Sequence, residues 1–212
     1  MVGLQSDGTD CSAVGEGAFA PFSRTGQSAW FAYEGLARSW GKLSFGARME
    51  SVRVESFGNP QVARFTPGSR SFSPSSYALG ALWNVASEWQ LTSNLAYTER
   101  APRDYELFAD GPHLATGVYE LGNANFSPEK SSNLDVGMTW KRGAHSAGLS
   151  AFVKSFQNYI AQQATGNRRG TDAELNPVDA NGDGVADSSG AKILPEYAYT
   201  QVQARFTGLE AT

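Results

Sequence analysis

One cysteine, two histidines and no long apolar run remove several classes of protein before any motif is read. Cys11 alone can make no internal disulfide and no multi-cysteine zinc site. The longest unbroken apolar stretch, Ala29-Trp30-Phe31-Ala32-Tyr33, falls far short of the ~20 residues that a membrane-spanning helix needs. Basic residues are scarce too: 17 Lys and Arg stand against 21 Asp and Glu, for a net charge of −4. No run of them supplies the electrostatic footprint of nucleic-acid binding, so no nucleic-acid partner is expected. Met1 to Cys11 carry neither a basic nor an apolar leader segment, so no export signal is expected in them. What the chain does have is 23 Gly and 12% aromatic residues, a mixture that suits many strands better than helices.

The hydrophobic period is 2 along much of the sequence. In Glu88–Thr98, Trp89, Leu91, Leu95 and Tyr97 fall on one side and Gln90, Thr92, Asn94 and Thr98 on the other. Asn133–Lys141 repeats this with Leu134, Val136, Met138 and Trp140, and Tyr77–Val85 with Tyr77, Leu79, Ala81 and Trp83. Leu43, Phe45, Ala47 and Met49 form a fourth segment, whose phase slips to Val52 and Val54 as at a bulge. Ser28–Arg38, His145–Phe156 and Tyr199–Thr212 complete an expected count of seven strands in an all-β chain without helix. Met1–Gln27 reads as the end of a loop.

The connections fall into two classes. Ser39–Lys42, Asn84–Ser87 and Lys141–Ala144 are short, whereas Phe57–Ser76, Glu99–Ser132 and Gln157–Ala198 are long and rich in Gly, Pro, Ser, Asn and Asp. The two kinds alternate, which in an up-and-down antiparallel meander puts every tight turn at one rim and every long loop at the other. Outer-membrane barrels are built in this way. Trp40, Trp83, Trp89 and Trp140 all lie close to short turns, where an indole can hold its N–H among headgroups and its ring in hydrocarbon. Seven strands do not close such a barrel, because an open edge leaves N–H and C=O groups unpaired in lipid. The expectation is therefore that residues 1–212 form one partial transmembrane β-barrel domain.

Tyr97-Thr98-Glu99-Arg100-Ala101-Pro102, Glu106-Leu107-Phe108, Gly122-Asn123, Phe126-Ser127-Pro128-Glu129-Lys130-Ser131 and Asn133-Leu134-Asp135-Val136-Gly137 resemble the TonB-dependent outer-membrane receptors. In that family a strand ends in an Arg-Ala-Pro element and returns through Gly-Asn and Pro-Glu-x-Ser elements. Gln203 to Glu210 is similar to a late barrel strand ending in Gly-hydrophobic-Glu, while Phe126-Ser127 departs from the more usual Leu-Lys. The resemblance implies a 22-stranded barrel of the bacterial outer membrane, of which this chain would supply about a third from the later half. It also implies a plug and a short periplasmic box through which the TonB complex energises uptake of a scarce ligand at the extracellular loops. Neither plug nor box is recognisable in these residues. Arg100 and Glu129 flank the longest motif-bearing loop and could either pair across its base or remain solvated rim charges.

Gly111-Pro112-His113-Leu114-Ala115-Thr116 and Tyr119-Glu120-Leu121-Gly122-Asn123 resemble the zinc- or haem-uptake subgroup of these receptors. His113, with Asp104, Asp110 and Glu120 nearby in sequence, offers an imidazole and carboxylates for a transported metal, although His113 could equally be an ordinary loop residue. His145 belongs to the opposite rim, roughly 30 Å away at ~3.3 Å per residue, and cannot share an ion with it. Asp179, Asn181, Asp183, Val185 and Asp187 follow the ligand spacing of a calcium loop; Gly190 stands where a bidentate Glu would complete it. Such acidic, Gly-rich segments also serve as plain solvated turns. No Ser-His-Asp set and no phosphate-binding Gly loop is present, so an enzyme is not expected. Two other readings stay open: a passive or adhesive outer-membrane barrel, and a secreted soluble β-protein with a calcium-bound loop.

Overall fold

A computed structural model describes residues 1–15, 17–179 and 186–212. They form eleven strands and one short helix: β1 (Val2–Cys11), β2 (Phe22–Arg38), β3 (Gly41–Gly58), β4 (Pro67–Phe72), β5 (Ser75–Ala86), β6 (Trp89–Arg100), α1 (Asp104–Phe108), β7 (Asp110–His113), β8 (Val118–Leu121), β9 (Glu129–Arg142), β10 (His145–Thr171) and β11 (Lys192–Ala211). All eleven strands belong to one sheet, ordered β1-β2-β3-β5-β6-β9-β10-β11-β8-β7, with β4 beside β3. The eight long strands are antiparallel neighbours in chain order. Only β8 joins in parallel, on β11.

All seven expected strands form, and the alternation of short turns with long loops holds. An eighth strand, β1, corrects the reading of Met1–Gln27 as loop: Val2 to Cys11 pair with Ala32 to Ser23 of β2. Only Val2 and Leu4 mark an apolar side in β1, too little for a period to be seen. Several strands also run further than expected. β10 continues to Thr171 and β11 starts at Lys192, inside the segment read as one long loop. Beyond Phe156, where the expected strand ends, β10 carries Tyr159 and buried Ile160 and then the largely polar stretch Gln162 to Arg169, in which no alternation is visible. The five-residue helix α1 likewise departs from the expectation of no helix. It follows buried Pro102 and is capped where the Arg103 N–H donates to Glu106 Oε2 at 2.7 Å.

Burial in this sheet is the reverse of a soluble core. Cross-strand register lines up Phe45, Leu79, Leu95, Leu134 and Val153 in one row on one face. That face is open: Leu95 is 53% exposed and Trp83 53%. Trp89 pairs with Trp140, and Trp40 lies 5.8 Å from Trp83, so four tryptophans collect at the short-turn rim. The Trp140 indole N–H donates to Glu88 at 3.1 Å. No second sheet covers the apolar face among the described residues, and a dry sandwich does not form.

The buried core lies instead at the long-loop end. Val52, Val54, Phe72, Leu107, Phe126 and Ile160 pack together there, with Ala101, Phe108 and Tyr199 against them. This explains the phase slip in β3 and corrects the expected bulge. The β2–β3 register is unbroken from Ser23↔Ser56 to Arg38↔Gly41. Val52 and Val54 therefore face the side opposite to Phe45, Ala47 and Met49, because pleated residues alternate. The slip marks where β3 stops presenting an outward apolar face and starts to bury an inward one beneath the loops.

The loop motifs close over this core. Arg100 donates to Glu106 through two bonds, at 2.9 and 3.2 Å, and to Glu129 at 3.3 Å, while Glu129 accepts the Ile160 N–H at 2.9 Å. The Arg100–Glu129 pair thus forms, with Glu106 as a second partner. Gly122 lies so close to α1 that a Cβ there would sit 2.7 Å from the Leu107 carbonyl carbon. Asn123 N–H donates to Glu106 O at 2.9 Å, tying the helix to the returning chain. Phe126 is the largest apolar side chain that this return contributes to the core. Phe126→Ala should cost about 3–5 kcal/mol locally. Limited proteolysis is expected to show faster cleavage within residues 101–128 while the strand signal in circular dichroism is kept.

Candidate functional site

The outer end of the sheet carries a layer in which segments from four connections meet. Its centre is the β7–β8 hairpin. The turn between these strands closes through Thr116 N–H and Gly117 N–H onto His113 O, and Gly117 takes φ +69°, a left-handed conformation that suits glycine. β8 then lies along β11, with Tyr119, Glu120 and Leu121 opposite Glu196, Tyr197 and Ala198. From the β1–β2 connection, Phe19 O accepts the Asp110 N–H at 2.9 Å. Gly111 permits that approach, since a Cβ on it would lie 2.5 Å from Ala18 O. From the β3–β4 connection, the Arg64 guanidinium donates to Asp110 O and Ala18 O and lies over the Phe65 ring.

Two buried carboxylates anchor the layer. Glu120 is 2% exposed and accepts from His113 Nδ1 at 2.7 Å, from Thr116 Oγ1 at 3.2 Å and from the Tyr199 hydroxyl at 2.9 Å. The His113 ring stacks on Phe19 at 4.2 Å between centroids, within 6° of parallel. Glu196, 3% exposed, accepts from Thr165 at 2.7 Å, from Asn167 at 3.0 Å and from Arg169. Arg169 also reaches Ala186 O at 2.7 Å and lies over the Tyr119 ring. Burial pushes the Asp110 carboxyl above its ordinary range, although the Tyr119 hydroxyl, donating at 2.8 Å, pulls the other way. Burial pushes in the same direction at Glu120, but there the bonds from His113, Gln162 and Tyr199 outweigh it and hold the carboxyl below its usual range.

The structure therefore brings three of the four sequence-derived ligand candidates, His113, Asp110 and Glu120, onto one hairpin, with His113 and Glu120 in direct contact. Asp104 stands elsewhere. It accepts from Ser23 at 2.6 Å and lines, with Cys11, Arg100 and Tyr105, an open cleft of ≈ 620 Å³. Among the described residues no three His, Cys, Asp or Glu side chains gather closely enough to hold a metal ion. Of the calcium-loop candidates, Asn181, Asp183 and Val185 lie outside the described residues. Asp187 is tied by its backbone, its N–H to Val178 O and its carbonyl to Gly170 N–H. Tyr119 stands in the Tyr119-Glu120-Leu121-Gly122-Asn123 element quoted above, whereas Phe19, Arg64, Arg169, Glu196 and Tyr199 are not among the sequence candidates. They reach the site across 27 residues or more in most contacts, as for Arg169 with Glu196, and no local pattern announces them. Thr116-Gly117 ahead of the short run Val118-Tyr119-Glu120-Leu121 is the one local cue for the hairpin itself, since Asp110-Gly111-Pro112-His113 has little strand propensity.

The family model described as TonB dependent receptor-like, beta-barrel matches residues 8–212. Among solved structures, the copper transporter OprC aligns with a TM-score of 0.62 at 20% identity, over 90% of this chain and 26% of its own. A double mutant of the Serratia marcescens hemophore receptor HasR, in complex with its hemophore HasA and heme, aligns at 0.63 and 16% identity, over 94% and 33%. A mutant of the ferric enterobactin receptor PfeA from Pseudomonas aeruginosa, in complex with enterobactin, aligns at 0.53 and 17%, over 99% and 38%. The chain thus spans between a quarter and two fifths of the length of these structures. At such identities the likeness is one of fold.

The lowered Glu120 carboxyl sets a sign for acid. A group whose folded pKa lies below its unfolded one stabilises the folded state above the unfolded value, and that stability is lost as pH falls through the folded value. Hydrogen exchange of β7 and β8 is expected to stay slow through the ordinary carboxylate range near pH ~4 and to quicken only below it. In Glu120→Gln that late step should be absent.

Proposed function

The chain belongs to the TonB-dependent receptor family, in its β-barrel part, and on that premise we propose that it belongs to an outer-membrane uptake receptor whose cargo is a metal chelate of the haem type, met at the outer rim by His113. Receptors of this family are transporters of metal, haem or siderophores, and an outer-membrane position suits the exposed apolar face described above. Trp89 and Tyr97 lie on one face of β6, roughly 26 Å apart along the strand at ~3.3 Å per residue. With the strand tilt of about 35–45° usual in such barrels, that length projects to roughly 20 Å along the membrane normal, most of the ~25 Å apolar band that aromatic girdles flank. The apolar row from Phe45 to Val153 would then face lipid, and the tryptophan rim the periplasmic side. Energy would come from the TonB complex through a plug and a short periplasmic segment of the complete receptor.

The observation that carries the choice of cargo is the single imidazole. A bare zinc ion asks for three or four protein ligands. Among the described residues no such group exists, whereas His113 offers one nitrogen. A metalloporphyrin brings four nitrogens of its own and needs one axial donor, which a lone histidine supplies. HasR, one of the similar folds, is a receptor seen with heme. A calcium ion held between Asp179 and Asp187 would, in the same scheme, order the β10–β11 connection and take no part in transport. Asp104, beside the open cleft, would meet cargo only after it has passed the rim.

Haemin titrated into the full receptor carrying this chain, in detergent and followed by visible absorbance, tests the reading. Wild type should show saturable binding with an axial-imidazole spectrum, and His113→Ala should lose that spectrum and at least tenfold in affinity. Equal binding by the two proteins would end the proposal. Saturable binding of zinc alone, unchanged in His113→Ala, would replace it with a bare-ion receptor that uses other residues.

A further inference from the structure

We propose that Glu120 is the positioning residue for His113: its buried carboxylate fixes the imidazole with a proton on Nδ1, and so presents the lone pair of Nε2 to the metal of the cargo. The inference rests on the haem-type reading above and goes beyond it by assigning a role to a residue that does not touch the cargo. In the antiparallel register Glu120 faces Gly111 and His113 faces Val118, so the two side chains meet diagonally across β7 and β8. An ionised carboxylate only accepts hydrogen bonds. The ring nitrogen 2.7 Å from Glu120 Oε1 must therefore carry the hydrogen, and in a neutral imidazole the other nitrogen is then bare. That nitrogen, Nε2, makes no hydrogen bond among the described residues.

Two further contacts make this arrangement rigid. Tyr199 donates to Glu120 Oε2 at 2.9 Å, which pins the carboxylate to β11, a long strand of the barrel, in addition to the hairpin. The parallel Phe19 ring limits tilting of the imidazole while leaving its edge, and hence Nε2, unblocked by the stack. The side chain of His113 keeps 30% of its surface exposed, against 3% for Glu120. A ligating imidazole whose other N–H meets a carboxylate binds metal more strongly and in one orientation, and loss of such a partner typically weakens metal affinity 10–100-fold.

The test uses the full receptor in detergent with haemin as the probe. It compares wild type, His113→Ala, Glu120→Ala, Glu120→Gln and Glu196→Gln. The last removes a carboxylate buried in the same layer but without contact to His113. Two readouts are taken: haemin affinity, and the iron–imidazole stretching band of the reduced complex, which reports the strength of the bond at Nδ1. Glu120→Ala should lose 10–100-fold in affinity. Glu120→Gln, whose amide oxygen still accepts from Nδ1–H but carries no charge, should keep most of the affinity and shift the band to lower frequency. Glu196→Gln should leave the band in place. If His113→Ala abolishes binding while both Glu120 variants match wild type in affinity and band, the positioning role is overturned and the haem-type reading stands. If Glu196→Gln matches Glu120→Ala in both readouts, Glu120 is merely structural and the role is again overturned. Haemin binding by His113→Ala equal to wild type overturns the haem-type reading, and this inference with it.

Discussion

On the lipid-facing reading proposed above, a backbone amide at the apolar face has nothing to bond except another strand, and this one constraint accounts for most of the molecule. It demands long, unbroken ladders, and β2 with β3, β6 with β9, and β9 with β10 provide them without register shifts through their central parts. It also frees the outward side chains from any need to pack against protein. Phe45, Leu79, Leu95 and Leu134 can therefore stand exposed in a row that would aggregate a water-soluble chain. The stagger between strands carries the row across the sheet while the tryptophans stay beside the tight turns.

Beyond the reach of that constraint the chain returns to ordinary globular rules. At the long-loop end apolar residues face inward, carboxylates are buried only with partners, and loops are tied to one another by side chains. Val52 and Val54 mark the changeover within a single strand. Arg100, Glu106 and Glu129 hold the base of one loop, Arg64 joins two others, and Glu120 and Glu196 fasten the hairpin and the extended β10–β11 arm. The recurring Arg-Ala-Pro, Gly-Asn and Pro-Glu-x-Ser elements acquire a physical meaning here. They supply the pair at the loop base, the glycine that lets α1 come close, and the carboxylate that receives the Ile160 N–H. Nothing in these contacts requires a particular cargo, which is consistent with a common scaffold beneath variable loops.

Alternation read from sequence locates β5 and β6 to within two residues at each end and β9 to within four, because each has one apolar and one polar face. The same method is blind where both faces are polar. Gln162 to Arg169 of β10 and most of β1 have no period to detect and read as loop. The slip at Val52 was visible but its cause was not: a bulge and a change of buried side look alike in one dimension. Glu34 shows the opposite difficulty, a carboxylate opposite Phe45 on the apolar face for which we have no physical account. For the site, His113 and Glu120 are legible as polar residues close in sequence within one long loop. Phe19, Arg64 and Tyr199 are not, since their role arises only when separate connections fold together.

The central claim is that the apolar side of the sheet meets lipid and the polar side an aqueous interior. Nitroxide labels placed one at a time in a cysteine-free background along β6 and β9 of the full receptor, reconstituted in bilayers, test it directly through collision with oxygen and with a water-soluble nickel complex. Labels at Leu91, Leu95, Leu134 and Met138 are expected to favour oxygen, and those at Thr92, Asn94 and Asp135 to lack that preference, alternating residue by residue. Labels at the apolar positions that are shielded from both reagents, or that favour nickel, would contradict the account.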